Sequence, residues 1–131
     1  MPLSIDRALG IHEDALTLRA RRTELLATNV ANADTPDYKA RDIDFRAALE
    51  QAQSGQGVHM QATHAGHIQE SGSASSPEVL FRVPDQPSLD GNTVDPQREQ
   101  AAFAENAVQY QATLMFLNRR IASLRGALSD Q

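Results

Sequence analysis

Asp95 to Leu128 reads DPQREQAAFAENAVQYQATLMFLNRRIASLRGAL, and within it Phe103, Ala107, Tyr110, Leu114, Leu117, Ile121, Leu124 and Leu128 follow an unbroken 4-3-4-3-4-3-4 spacing. Only a helix brings such residues onto one side, and the alternation of four and three is the period of a coiled-coil seam. Asp95 supplies an N-cap carboxylate, and Pro96 follows at the first helical position, where its missing N–H costs nothing. The reading is a helix from Pro96 to about Ala127, roughly 45 Å long. Its acids Asp95, Glu99 and Glu105 lie toward the start and Arg119, Arg120 and Arg125 toward the end, the order that the helix dipole favours.

A seam needs a second helix, and the N-terminal region offers one. With Ser4 as N-cap, Ile5, Leu9, Leu16, Leu26 and Val30 fall along one line, interrupted by Arg19 and Thr23. A second stripe of Ile11, Ala15, Leu18 and Leu25 lies on the adjacent face, so this helix presents apolar surface to more than one neighbour. Gly10 weakens the first turns by about 1 kcal/mol relative to alanine. Pro36 drives Thr35 out of the α region, which ends the helix near Ala33. The expected architecture is mainly α, with long N- and C-terminal helices paired as a coiled coil. Leu16, Leu26 and Val30 are assigned to an intrachain seam with Tyr110, Leu114, Leu117, Ile121 and Leu124.

Between these helices Asp42 is placed as the cap of a short helix from Ile43 to about Ala52, with Phe45, Leu49 and Ala52 on one face. Gly/Ser-rich stretches at 53–57 and 71–77 bracket Val58, Met60 and Ala62, which alternate as in a strand, and Glu78 to Val83 is a second strand candidate closed by Pro84. The two strands are expected to form a small ribbon that needs something to pack on. The chain of 131 residues is read as one domain: a helix over 1–34, a turn, short helix and variable middle over 35–94, and a helix over 95–131.

Composition narrows the chemistry. The formal net charge is −5, which argues against nucleic acid as a partner. With no cysteine there are no disulfides, thiolate metal sites or cysteine nucleophiles. No segment has the apolar run of a signal peptide or a membrane span, so no direct membrane insertion is expected. His59, His64 and His67 are the one metal-like spacing, without an adjacent carboxylate, and are read as solvated loop histidines. His12 belongs to the helix pattern, and Asp42 and Asp44 are neighbours in sequence rather than a pair across a cleft. Nucleotide-binding and nucleophile-elbow sequences are absent. Arg19, Arg21 and Arg22 are balanced by nearby acids and read as a salt-bridged face, with an interface role as the second reading. No catalytic, metal or cofactor site is assigned.

The most unusual stretch is Leu25-Leu26-Ala27-Thr28-Asn29-Val30-Ala31-Asn32-Ala33-Asp34-Thr35-Pro36-Asp37-Tyr38. Two asparagines three apart end a helix among small residues, where an amide that bonds a neighbouring backbone fixes a register. Asn29, Asn32, Thr35, Pro36 and Tyr38 together resemble the signature of the flagellar axial proteins of rod, hook and filament junction. Lys39-Ala40-Arg41-Asp42-Ile43-Asp44-Phe45 and Asp90-Gly91-Asn92-Thr93-Val94-Asp95 resemble the proximal-rod members of that family. Asp37 departs from the pattern, which has glycine there; if the position needs a positive φ, aspartate tolerates it at some cost.

The resemblance implies a structural, non-enzymatic subunit of the proximal flagellar rod, in the part of the basal body that crosses the periplasm. It implies export by the flagellar type III apparatus without a cleaved signal peptide. It also implies assembly with copies of itself and with rod proteins of the FliE, FlgC and FlgF types. On this basis Ile11, Leu18 and Leu25, with Arg19 and Arg22, are expected at an intersubunit interface, and Asn29 and Asn32 are expected to bond across the turn to Thr35 or to a neighbouring subunit. A soluble helical adaptor or export chaperone shares the seam but has no reason to carry the asparagine-rich turn. A metal-dependent hydrolase needs the three loop histidines to bind zinc.

Overall fold

A computed structural model describes residues 5–54 and 77–129. In chain order the elements are α1 (Ile5–Ala31), β1 (Arg41–Ile43), α2 (Phe45–Ser54), β2 (Val79–Phe81) and α3 (Pro96–Ser129). The long helices run antiparallel, since Asn29 near the end of α1 bonds Glu99 near the start of α3 while Arg19 bonds Gln109 further along it. Among the described residues no helix is long and apolar enough to cross a membrane.

The helix ends follow from local chemistry. Asp95 accepts from the N–H groups of Gln97 and Arg98 at 3.0 and 3.3 Å, the capping that starts α3 at Pro96. α1 ends at Ala31, two residues before the expected stop. Tight turns finish it, with the N–H of Asn32 on the Asn29 carbonyl at 3.1 Å and that of Ala33 on the Val30 carbonyl at 3.2 Å.

The short helix is displaced from its expected position. Asp44, not Asp42, is the cap, accepting from Ala47 N–H at 3.1 Å, so α2 runs from Phe45 to Ser54. Asp42 and Ile43 are instead in β1, because the Asp42 side chain is held by arginines. β1 pairs antiparallel with β2 in the register Arg41↔Phe81, Asp42↔Leu80 and Ile43↔Val79, and Arg82 N–H on the Ala40 carbonyl at 2.8 Å extends the ladder. The strand expected over Glu78 to Val83 is therefore present as Val79–Phe81, but its partner is β1. The strand expected at Val58 to Ala62 and the histidines His59, His64 and His67 lie outside the described residues.

Leu18 and Leu25 of α1, Ile43 of β1 and Ala48 of α2 form a buried apolar cluster, with Phe45, Leu49 and Val79 packed against it. Leu18 and Leu25 are each 7% exposed. Within the chain, α2 and the two strands fold back over Leu18 and Leu25, the two leucines expected at an intersubunit interface, while Ile11 of the same stripe stays 45% exposed.

Candidate functional site: the turn lock and the helix pair

Three segments distant in sequence meet where α1 ends. The amide of Asn29 is fully buried: its Nδ2 donates to the Arg41 carbonyl at 2.8 Å and to Glu99 Oε2 at 3.0 Å, and its Oδ1 accepts from Arg41 N–H at 3.0 Å and from the Tyr38 hydroxyl at 3.2 Å. Every bond that an amide side chain can make is used. Asn32 turns back on its own helix, donating to the Thr28 carbonyl at 2.8 Å and accepting from the Thr35 hydroxyl at 3.1 Å. Thr35 and Pro36 themselves lie exposed on the turn and Tyr38 is half-buried.

The carbonyls of the turn that follows α1 find a further donor about sixty residues on. Asn92 Nδ2 lies within hydrogen-bond distance of the carbonyls of Asn32, Ala33 and Thr35 at 2.9, 2.8 and 2.9 Å, so its two N–H groups hold the turn from the far side of the chain. Its Oδ1 accepts from Val94 N–H at 2.7 Å. Asp37 has φ +58°, its N–H donates to the Asp90 carbonyl at 2.9 Å, and Thr93 N–H donates to the Tyr38 carbonyl at 3.0 Å. Gly91, at φ +74°, lies so close that a Cβ there would stand 2.3 Å from Asp37 Oδ1. A side chain at Gly91 would have to displace the exposed Asp37 carboxylate and would also be strained by the positive φ, which is what favours glycine there.

A charged chain ties this lock to the strands. Arg22 grips Asp42 with two hydrogen bonds at 2.8 and 3.0 Å, and Arg82 bridges Asp42 to Glu99, which bonds Asn29. Glu99 is 1% exposed, so its charge depends on these partners. Burial disfavours ionised Asp42, yet hydrogen bonds from Arg22, from the Ile43 N–H and from Arg82 outweigh it and hold its pKa below the usual aspartate value. The hydrogen bond with Asp42 raises the pKa of Arg22 in turn. Burial and the nearby charge of Arg22 lower that of Arg19.

Along the helix pair the closest contact is polar. Asn106, fully buried, donates to the Arg19 carbonyl at 3.0 Å and to the Thr23 hydroxyl at 2.9 Å. The guanidinium of Arg19 bonds Gln109 and stacks 4.1 Å from the ring centre of Phe45. Glu99, Asn106 and Thr113, spaced by seven, are the buried line of α3. Arg19 and Thr23, which break the apolar seam of α1 in sequence, meet this line at Asn106, and Asn29 meets it at Glu99.

The apolar seam of α3 sits beside it. Tyr110, Leu114, Leu117 and Leu124 are half-buried, while Phe103, Ile121 and Leu128 are 39%, 44% and 74% exposed and Ala107 is exposed. On α1, Leu26 is fully buried, Leu16 and Val30 are half-buried and Ile11 is exposed. Arg22 is committed to Asp42 and Arg19 to Gln109 and Phe45 within the chain. Sequence reasoning singled out Asn29 and Asn32 but missed Asn92, Arg82, Glu99 and Asn106. A polar heptad of 99, 106 and 113 beside the apolar one was the available signal.

The turn and the helix it ends coincide with the part of the chain that matches a known family: the sequence model described as "Flagella basal body rod protein" matches residues 9–39. The chain is similar over nearly its whole length to proteins named flagellar basal body rod protein FlgB. That of Cereibacter sphaeroides (strain ATCC 17029 / ATH 2.4.9) is 51% identical over 123 residues, 94% of each chain. The protein of Yersinia enterocolitica is 47% identical over 133 residues, 96% of each chain, and that of Escherichia coli (strain K12) is 45% identical over 132 residues, 96% of each chain. The chain belongs to the FlgB family of flagellar basal body rod proteins. As an FlgB-family chain it is a structural subunit of the rod in the flagellar basal body, and not an enzyme. The adaptor reading is not favoured. Lys39 to Phe45 and Asp90 to Asp95, which carried the resemblance to proximal-rod proteins, supply Arg41, Asp42, Asn92 and Thr93 to the lock.

Proposed function

We propose that this chain is a proximal-rod subunit that docks on its neighbours through the open sides of α1 and α3, while the turn lock holds the two helices in one relative position. The observation that carries this reading is the offset on α3. Its apolar seam stands beside the polar line that meets α1, so Phe103, Ala107, Ile121 and Leu128 are left for other helices. The half-buried Tyr110, Leu114, Leu117 and Leu124, with Leu16 and Val30, bridge the intrachain contact and this open side, while Leu26 is buried within the chain. Ile11 adds apolar surface on α1.

The partners that suit such stripes are helices of like construction, from copies of this chain and from rod proteins of the FliE, FlgC and FlgF types. Delivery is by the flagellar type III export apparatus without a cleaved signal peptide, to the rod where it crosses the periplasm. Many lateral helix contacts, rather than one site, then transmit torque.

The test replaces Phe103 and Ile121 together by serine in the chromosomal copy. The expected result is a purified monomer that melts within a few degrees of the parent, with hook–basal bodies lost and swimming abolished. Normal numbers of basal bodies in the double variant would rule this assignment out.

A further inference from the structure

An apolar cavity of about 430 Å³ opens between the end of α1 and the start of α3, lined by Ala27, Val30, Ala31, Gln100 and Phe103. It lies on the side of the helix pair where the seam of α3 is open. The outer edge of the groove is drawn by helical spacing along α1: Glu13, Ala20, Glu24, Ala27 and Ala31 share one side, and all are exposed. That edge carries two carboxylates. The Glu24 carboxylate has one partner among the described residues, an exposed bond from Arg21 at 2.7 Å, of the kind worth little in water.

The chain also carries a surface of complementary character. On the face of α3 turned away from α1, Val108 and Met115 are 68% and 57% exposed, and Arg119 follows one turn after Met115. Arg119 makes no ion pair among the described residues. Groove and face occupy different sides of the molecule, so one copy offers both at once. A contact between them is heterologous and repeats from copy to copy instead of closing into a pair.

We infer that the groove between α1 and α3 receives α3 of a second copy of this chain, with Met115 of the incoming helix in the cavity and Arg119 beside Glu24. The spacing supports this. Glu24 precedes Ala27 by three residues and Arg119 follows Met115 by four, so apolar and charged contacts fall together when the incoming helix runs antiparallel to α1 and in the direction of the host's own α3. An unbranched thioether suits an irregular pocket walled by alanine, valine and phenylalanine. The inference rests on the reading of the chain as a self-assembling rod subunit and names the surfaces that assembly uses.

The absence of cysteine makes the test clean. In a chain carrying both Ala27→Cys and Met115→Cys, the two sites cannot bridge within one molecule. Ala27 lies near the start of α3 and position 115 is several turns further along, a separation of roughly 20 Å at the helical rise, against the 7 Å limit for a disulfide. Oxidised basal bodies from cells expressing this variant are expected to give a ladder of dimers and longer species on a denaturing gel, with none from either single variant. A variant present in basal bodies that runs only as monomer overturns the inference and leaves the rod reading intact. Absence of the unsubstituted chain from basal bodies overturns both.

Should the double cysteine variant fail to incorporate while the unsubstituted chain does, charge exchange decides. Glu24→Arg and Arg119→Glu are each expected to lower the number of rods several-fold, and the two together to restore it. No restoration overturns the pairing.

Discussion

The middle of α1 and its C-terminal end are stabilised by opposite chemistry. Around Leu18 and Leu25 the contacts are apolar, with Ile43, Ala48, Phe45, Leu49 and Val79 closing over the helix. Around Asn29 they are polar, and the buried groups are Asn29, Asn92 and Glu99, each hydrogen-bonded to another segment. An apolar cluster rewards burial and tolerates small shifts, because burial has no direction. A satisfied amide tolerates none, since each lost bond strands a buried donor or acceptor. The corner built on α2 therefore supplies stability, and the turn lock supplies the position of α3 against α1. A subunit that docks through both helices, as proposed above, needs that position held.

The strongest way to break the comparison is at the apolar corner. Leu25→Ala removes a buried side chain from the apolar cluster, and should cost about 3 kcal/mol in chemical denaturation. The loss should be the same at neutral and at mildly acidic pH. A loss below about 1 kcal/mol would mean that α2 and β1 are loosely docked on α1.

The polar region should respond to acid instead. The folded-state pKa of Asp42 is depressed, so its contribution is complete above the unfolded value near 4 and is lost as pH falls through the folded value. The unfolded state binds the proton first. Asp42→Asn should cost about 2 kcal/mol at neutral pH, the scale of a hydrogen-bonded charge, and should flatten the fall of stability below pH ~4. Melting curves between pH 2.5 and 7 check this; parallel profiles for the parent and the variant would show that Asp42 is not the group that senses acid.

These two regions were unequally legible. The long helices, the cap at Asp95 and the stop after Asn29 follow from proline, aspartate and period, all local signals. The burial of Leu18 and Leu25 was not readable, because what covers them depends on β1 pairing with β2 across the chain, and no local pattern names that partner. The sequence pattern places the cap at Asp42; only Arg22 and Arg82, drawn in by tertiary structure, take that carboxylate and leave Asp44 to cap α2. The offset of the helix pair was hidden for a related reason. Hydrophobicity assigns Glu99, Asn106 and Thr113 to solvent, and their burial makes sense only once Asn29, Arg82 and Thr23 stand opposite.

The smallest effect would sharpen the comparison at the one backbone position where sequence pattern and structure meet. Asp37 holds φ +58°, a conformation that costs an L-residue roughly 1–2 kcal/mol and that aspartate bears better than most. Its N–H serves the turn through the Asp90 carbonyl, and that bond survives any side chain. Asp37→Gly relieves the strain and removes the carboxylate that crowds Gly91, while glycine adds conformational entropy to the unfolded chain. Strain relief is the larger quantity, so the variant should gain about 0.5 kcal/mol, and Asp37→Ala should lose a similar amount because alanine has neither glycine's freedom nor aspartate's tolerance of this region. Thermal melts of the two variants side by side measure the difference. If glycine proves destabilising, the side chain of Asp37 contributes to the junction with Asp90 and Gly91 beyond its backbone, and the lock depends on it.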